Sequence, residues 1–126
     1  MATPAAPSKL LLAMAGLNGL LALGHTTKGR EQFSHPAIDK LPAVLRGAVK
    51  TGWYEGSAFF VIMGILNYKW ANTGLVDVFD KSIAGVFVSL LLGAGASYAS
   101  SGDAGTGVTL AVVALLQGLG AKRAAV

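Results

Sequence analysis

The chain has 126 residues, enough for one domain, and its charged fraction of 13% sits beside an apolar fraction of 53%, whereas a soluble domain is about a quarter charged. It has no cysteine, which excludes disulfides, thiolate zinc sites, iron–sulfur clusters and thiol nucleophiles. The net charge is +4, but the basic residues flank uncharged apolar runs, and no basic stripe with interleaved aromatics is present, so the pattern points to anionic lipid headgroups and away from nucleic acid.

That alternation predicts an all-α, multi-pass membrane protein: a four-transmembrane-helix up-down-up-down bundle forming a single domain over 9–123, with a disordered tail at 1–8 and a short C-terminal tail at 124–126. The first eight residues lack the charged start of a secretory signal, so the first apolar run is read as a retained helix. Pro7-Ser8 opens a helix over 9–25. It is short for a bilayer core of about 30 Å and spans only if Lys9 snorkels or the helix continues through His25. Residues 25–41 are polar, with Gly29 and Pro36 as punctuation, and read as a loop.

Residues 42–51 read as an amphipathic segment at the membrane interface. Val44, Leu45 and Val49 face lipid, Arg46 and Lys50 reach headgroups, and Pro42 suits a first helical position. The helix over 52–70 is the best marked: Trp53 and Tyr54 stand at one end, Tyr68 and Trp70 at the other, as aromatic belts would. A helix over 78–100 follows, with Asp77 or Asp80 as its cap. A glycine-rich turn then leads to a helix over 106–121, which ends in Lys122 and Arg123. Short connections make consecutive helices antiparallel, which puts both termini on one side. The basic residues divide five against five between the two sides, so the positive-inside rule assigns no orientation.

Leucine burial does not drive helix association in lipid, but close approach at small residues does. Gly85, Ser89, Gly93, Ser97 and Ser101 recur at four-residue spacing, and Gly107, Ala111, Ala114, Gly118 and Ala121 alternate at four and three. The simplest reading pairs these two stripes across the tight turn, or uses them for oligomerisation. With 17 glycines in the chain, composition alone produces some such matches.

Polar groups within spans prompt functional hypotheses. The topology gathers His25, Trp53, Tyr54, Glu55, Ser97, Tyr98 and Asp103 near one membrane surface. A His25–Glu55 pair there suits acid–base work or a polar headgroup, which makes these residues a candidate site for a lipophilic small molecule. Glu55 would also gain from the helix dipole if the chain breaks at Gly52. The plainer readings are a Glu55 paired with Lys50 or Arg46, a His25 that merely ends its helix, and aromatics that only anchor. Asn18 and Gln117 read as interhelical hydrogen-bond partners. No metal or cofactor is expected: His25 and His35 match no zinc spacing, and no phosphate loop, dinucleotide fingerprint or serine elbow occurs. A transporter would be expected to show a midplane carboxylate or a proline-broken helix, and neither is present.

At His25-Thr26-Thr27-Lys28-Gly29 and Gly52-Trp53-Tyr54-Glu55-Gly56-Ser57 the chain resembles a group of small fungal integral membrane proteins, over most of its length. The resemblance implies an intracellular eukaryotic membrane, such as the endoplasmic reticulum or mitochondrion, and assigns no chemistry. The first expectation is therefore a non-enzymatic accessory or interaction subunit whose partners are lipids and other membrane subunits or further copies of itself. The second is a binding protein or enzyme for a lipophilic molecule at the His25/Glu55 corner.

Overall fold

The computed structural model describes residues 6–126 and is all-helical, so most of the expected tail at 1–8 lies outside the described residues. Five helices follow in order: α1 (Lys9–Gln32), α2 (Pro36–Asp39), α3 (Ala43–Thr73), α4 (Val78–Ser100) and α5 (Ala104–Ala124). Three of them, α1, α4 and α5, are long and apolar enough to cross a membrane. Their outward-facing side chains are aliphatic: Leu20 and Leu23 on α1, Val86 and Leu90 on α4, and Val112 and Leu115 on α5 are exposed. A water-soluble domain rarely shows so much apolar surface. These helices mark the chain as membrane-embedded by length and composition.

α1 continues seven residues past the expected end at 25. Lys28, Arg30, Glu31 and Gln32 are good helix formers, and Gly29 does not stop the helix, because its bare α-carbon lies directly against the indole of Trp53. At about 1.5 Å per residue, the helix reaches roughly 36 Å, so its shortness disappears. The interfacial segment and the helix at 52–70 are one continuous helix, α3, of 31 residues. Gly47 and Gly52 stand in open space on it and do not break it. Glu55 therefore lies more than three turns inside a helix (about 3.6 residues per turn) and draws nothing from an N-terminal dipole. α3 is not among the three helices apolar enough to span, since Glu55, Asn67 and Lys69 leave only Ser57–Leu66 as an uninterrupted apolar run.

The aromatic belts are corrected too. Trp70 is fully buried and Trp53 half-buried; both pack within the protein, and Tyr54 and Tyr68 are the outward-facing rings of α3. Asp77 caps α4, its Oδ1 accepting from Asp80 N at 2.8 Å. Asp103 caps α5, taking Thr106 N at 3.0 Å and the Thr106 hydroxyl at 2.6 Å. His35 is likewise a cap, its Nδ1 accepting from Ala37 N at 3.1 Å.

The chain falls into two compact units, one of residues up to Met14 together with Asn67–Val126 and one of Ala15–Leu66. In the first, α4 and α5 form a hairpin. Ala84, Phe87, Leu91 and Gly95 are buried on α4, and Gly107, Leu110, Val113, Ala114 and Gln117 on α5. The backbones meet where a Cβ on Gly95 would lie 2.9 Å from Gly107 O, and one on Gly107 would lie 2.7 Å from Gly95 O. The expected pairing of stripes is thus half right. Gly107, Ala111 and Ala114 face inward, and Gly118 approaches Val88. Gly85, Ser89, Gly93 and Ser97 are all exposed, and a Cβ at Gly85 or Gly93 would meet nothing. Gly95 lies two residues, about 200° of helix rotation, from Gly93, so its contact with Gly107 turns the regular stripe outward.

The same unit holds a fully buried amide pair. Asn67 Nδ2 donates to Gln117 Oε1 at 2.9 Å, and Gln117 Nε2 donates back to Asn67 Oδ1 at 2.7 Å. This supplies the interhelical partner expected for Gln117. Lys69 Nζ donates to both oxygens of Asp80, at 2.9 and 3.2 Å. Gly120 receives Leu11, and Ser8 N donates to Ala71 O at 2.8 Å. Gly74, at φ 72°, ends α3 and lets Leu75 bridge Ala125. A double-mutant cycle on N67L and Q117L, read by thermal unfolding in detergent, is expected to give a coupling of about 0.6–2 kcal/mol. Additive effects would mean that the amide pair contributes no joint stability.

Candidate functional site

The second unit brings His25 of α1 against Trp53, Gly56, Ser57 and Phe60 of α3. These α3 positions are spaced three and four apart and so share one helix face. The imidazole stacks on the Trp53 ring with centroids 4.2 Å apart and planes 11° apart, while Phe60 meets it edge-on at 5.6 Å. Gly56 makes room for it, since a Cβ there would lie 2.9 Å from His25 Cε1. Trp53 Nε1 donates to His25 O at 2.7 Å, using a carbonyl that faces α3. Phe33 covers the far side, edge-on to Trp53 at 5.9 Å and to Tyr54 at 5.8 Å, with Lys50 Nζ 5.8 Å from its centroid. Gly64 lets the backbones close, because a Cβ there would lie 3.3 Å from Ala15 O and 3.8 Å from Cβ of the buried Asn18.

A hydrogen-bonded chain runs through the cluster. His25 Nδ1 is 3.0 Å from Ser57 Oγ, Ser57 Oγ is 2.9 Å from Thr26 Oγ1, and Thr26 Oγ1 is 2.8 Å from Ala22 O. Each hydroxyl has one proton. All three contacts hold a proton only if His25 Nδ1–H donates to Ser57, Ser57 to Thr26, and Thr26 to the Ala22 carbonyl. That order assigns the proton to Nδ1 in the neutral ring.

The expected site residues do not all join. Glu55 is exposed, two residues from both Trp53 and Ser57, about 200° of rotation from each and so on the opposite face. Its expected partners are engaged elsewhere: Arg46 lies 3.6 Å from Asp39 in an exposed pair, and Lys50 lies over Phe33. The His25–Glu55 corner is therefore replaced by a His25–Ser57–Thr26 cluster. Tyr54 is exposed beside Phe33. Ser97 and Tyr98 belong to the other unit, where their carbonyls close the turn after α4 by accepting from Ser101 N. Ser57 and Thr26 were missed by reading the sequence alone, although the helical spacing of Trp53, Ser57 and Phe60 carried the signal.

The contacts of this cluster join α1 to α3. A serine nucleophile needs free donors for an oxyanion and a third group to orient its base. Ser57 lies mid-helix, where backbone N–H groups are spent on the preceding turn, and Glu55, two residues away, is exposed on the opposite face. What the arrangement does is lock α1 to α3 through an aromatic stack, a side chain-to-carbonyl bond and a hydroxyl relay. Comparison with family models, with curated proteins and with solved structures finds no match.

Replacing Gly56 with valine forces branched carbons into the imidazole and is expected to destabilise the protein by about 1–3 kcal/mol. Ser57→Ala, which breaks the relay, is expected to cost about 1–2 kcal/mol, and Glu55→Gln less than about 0.5. Thermal unfolding followed by circular dichroism in detergent measures all three. A Glu55→Gln effect as large as that of Ser57→Ala would restore Glu55 to the cluster.

Proposed function

We propose that this protein is a multi-pass, non-enzymatic membrane subunit that associates with another transmembrane helix through the outward small-residue face of α4. One observation carries the reading: Ser89, Gly93 and Ser97 lie on the surface, while the α4–α5 hairpin closes on a different face at Gly95 and Gly107. In lipid, a bare glycine stripe gains packing only when a second backbone comes close. Ser89 already donates to Gly85 O at 2.9 Å, so that face presents no unsatisfied hydroxyl to the bilayer. A second copy of the chain is the simplest occupant. The resemblance to small fungal membrane proteins favours an intracellular membrane as the setting.

The reading includes a fourth crossing by α3. Its 31 residues extend about 46 Å, its polar Asn67 is satisfied by Gln117, and alternation of four crossings returns the chain to its starting side. The catalytic alternative is weaker because Glu55 and His25 face apart.

Donor- and acceptor-labelled protein mixed in liposomes is expected to show energy transfer, and Gly93→Leu is expected to weaken association by on the order of tenfold. Energy transfer unchanged by Gly93→Leu would refute the use of this face. For topology, the cysteine-free chain accepts single cysteines without background. Impermeant maleimide is expected to label positions 72 and 126 from one side and positions 39 and 101 from the other. Labelling of 39 and 72 from the same side would remove the fourth crossing.

A further inference from the structure

Beyond self-association, we infer that the groove between α4 and α5 at their lysine-bearing end holds an anionic phospholipid. The groove has a volume of about 330 Å³. Its walls include Ala84, Gly85, Val88 and Gly118, and Lys81 and Lys122 stand among its lining residues. It exists because small residues meet there: a Cβ at Gly85 would touch nothing, and one at Gly118 would reach only Val88, at 3.7 Å. The hairpin backbones close tightly at Gly95 and Gly107, near the turn. Towards the other end, the small side chains leave the space between the helices unfilled.

Charge selects the occupant. From Lys81 to Val88 the groove follows α4 for about 10 Å, into what would be the outer third of a ~30 Å hydrocarbon core. Lys81 is anchored by its bond to Val126 O at 2.7 Å, which leaves its remaining protons for an anion. The acidic groups on the surrounding elements are already engaged: Asp80 accepts from Lys69 with both oxygens and also meets the Trp70 indole, and Asp77 caps its own helix. Even with Lys81 set against the Val126 oxygen it holds, Lys122 and Arg123 outweigh Asp77 at this end. A basic rim over an apolar slot between membrane helices fits a phosphate headgroup with one acyl chain below it. A second protein helix would fill the slot but leave the lysines uncompensated.

Native mass spectrometry of the full chain, exchanged into detergent with either palmitoyl-oleoyl phosphatidylglycerol or the chain-matched phosphatidylcholine, tests this directly. The wild type is expected to retain phosphatidylglycerol in preference, by on the order of tenfold. K81Q/K122Q is expected to lose that preference while holding phosphatidylcholine as before, and K28Q/R30Q, which removes the same charge elsewhere, is expected to keep it. Glycerol phosphate, a headgroup without chains, is expected not to displace the lipid. Equal retention of the two lipids by the wild type would overturn the inference, as would a preference that survives K81Q/K122Q or full displacement by glycerol phosphate. The same spectra count protein copies, so lipid preference is read apart from self-association, and the wild-type comparison stands even if a variant fails to fold.

Discussion

Inside a bilayer, packing leucine against leucine replaces one hydrocarbon neighbour with another and gains little, so helices are held where backbones touch or polar groups pair. Several close contacts among the described residues are of those kinds. The α4–α5 hairpin closes at Gly95 and Gly107, each of which occupies the space that a Cβ on the other would need. In the other unit, Gly29 admits the Trp53 indole, Gly56 the His25 ring, and Gly64 the backbone near Ala15. At these five positions glycine is a packing device. Many large aliphatic side chains, Leu20, Leu23, Val86 and Leu115 among them, face outward.

Polar groups follow the same logic. Asn67 and Gln117 exchange two hydrogen bonds in a fully buried pair. His25, Ser57 and Thr26 end their chain of protons on a backbone carbonyl. Asp80 is matched by Lys69. In a medium of low dielectric each of these groups is expensive alone and acceptable in company. Glu55 is exposed on the outer face of α3, which is why it contributes nothing to the His25 cluster.

Reading the sequence found the helical class, the apolar runs of α1, α4 and α5, and the partnership role of Gln117. It offered Asp77 or Asp80 as the cap of a helix over 78–100, and Asp77 is the one that serves. It failed where one local signal carried two meanings. Gly29 and Gly52 read as breaks, yet one is a slot for a tryptophan and the other stands in open space within a helix. Trp53 and Trp70 read as interfacial anchors, yet both pack inside. The stripe at Gly85, Ser89, Gly93 and Ser97 was more regular than the face containing Gly95, but regular spacing does not say which side of a helix its neighbour occupies. The His25–Glu55 pairing failed for a plainer reason: sharing one membrane side does not say which face of α3 a residue takes when each residue turns 100°.

Membrane embedding underlies all of this, and nitroxide accessibility tests it most directly. Single cysteines at Leu20, Leu23, Val86, Leu90, Val112 and Leu115 carry a spin label in the liposome-reconstituted chain, with Asp39 as the aqueous reference. Labels at the six aliphatic positions are predicted to collide with dissolved oxygen and to be shielded from a water-soluble nickel chelate. Nickel access at those six positions equal to that at Asp39 would contradict the membrane assignment and the packing logic built on it.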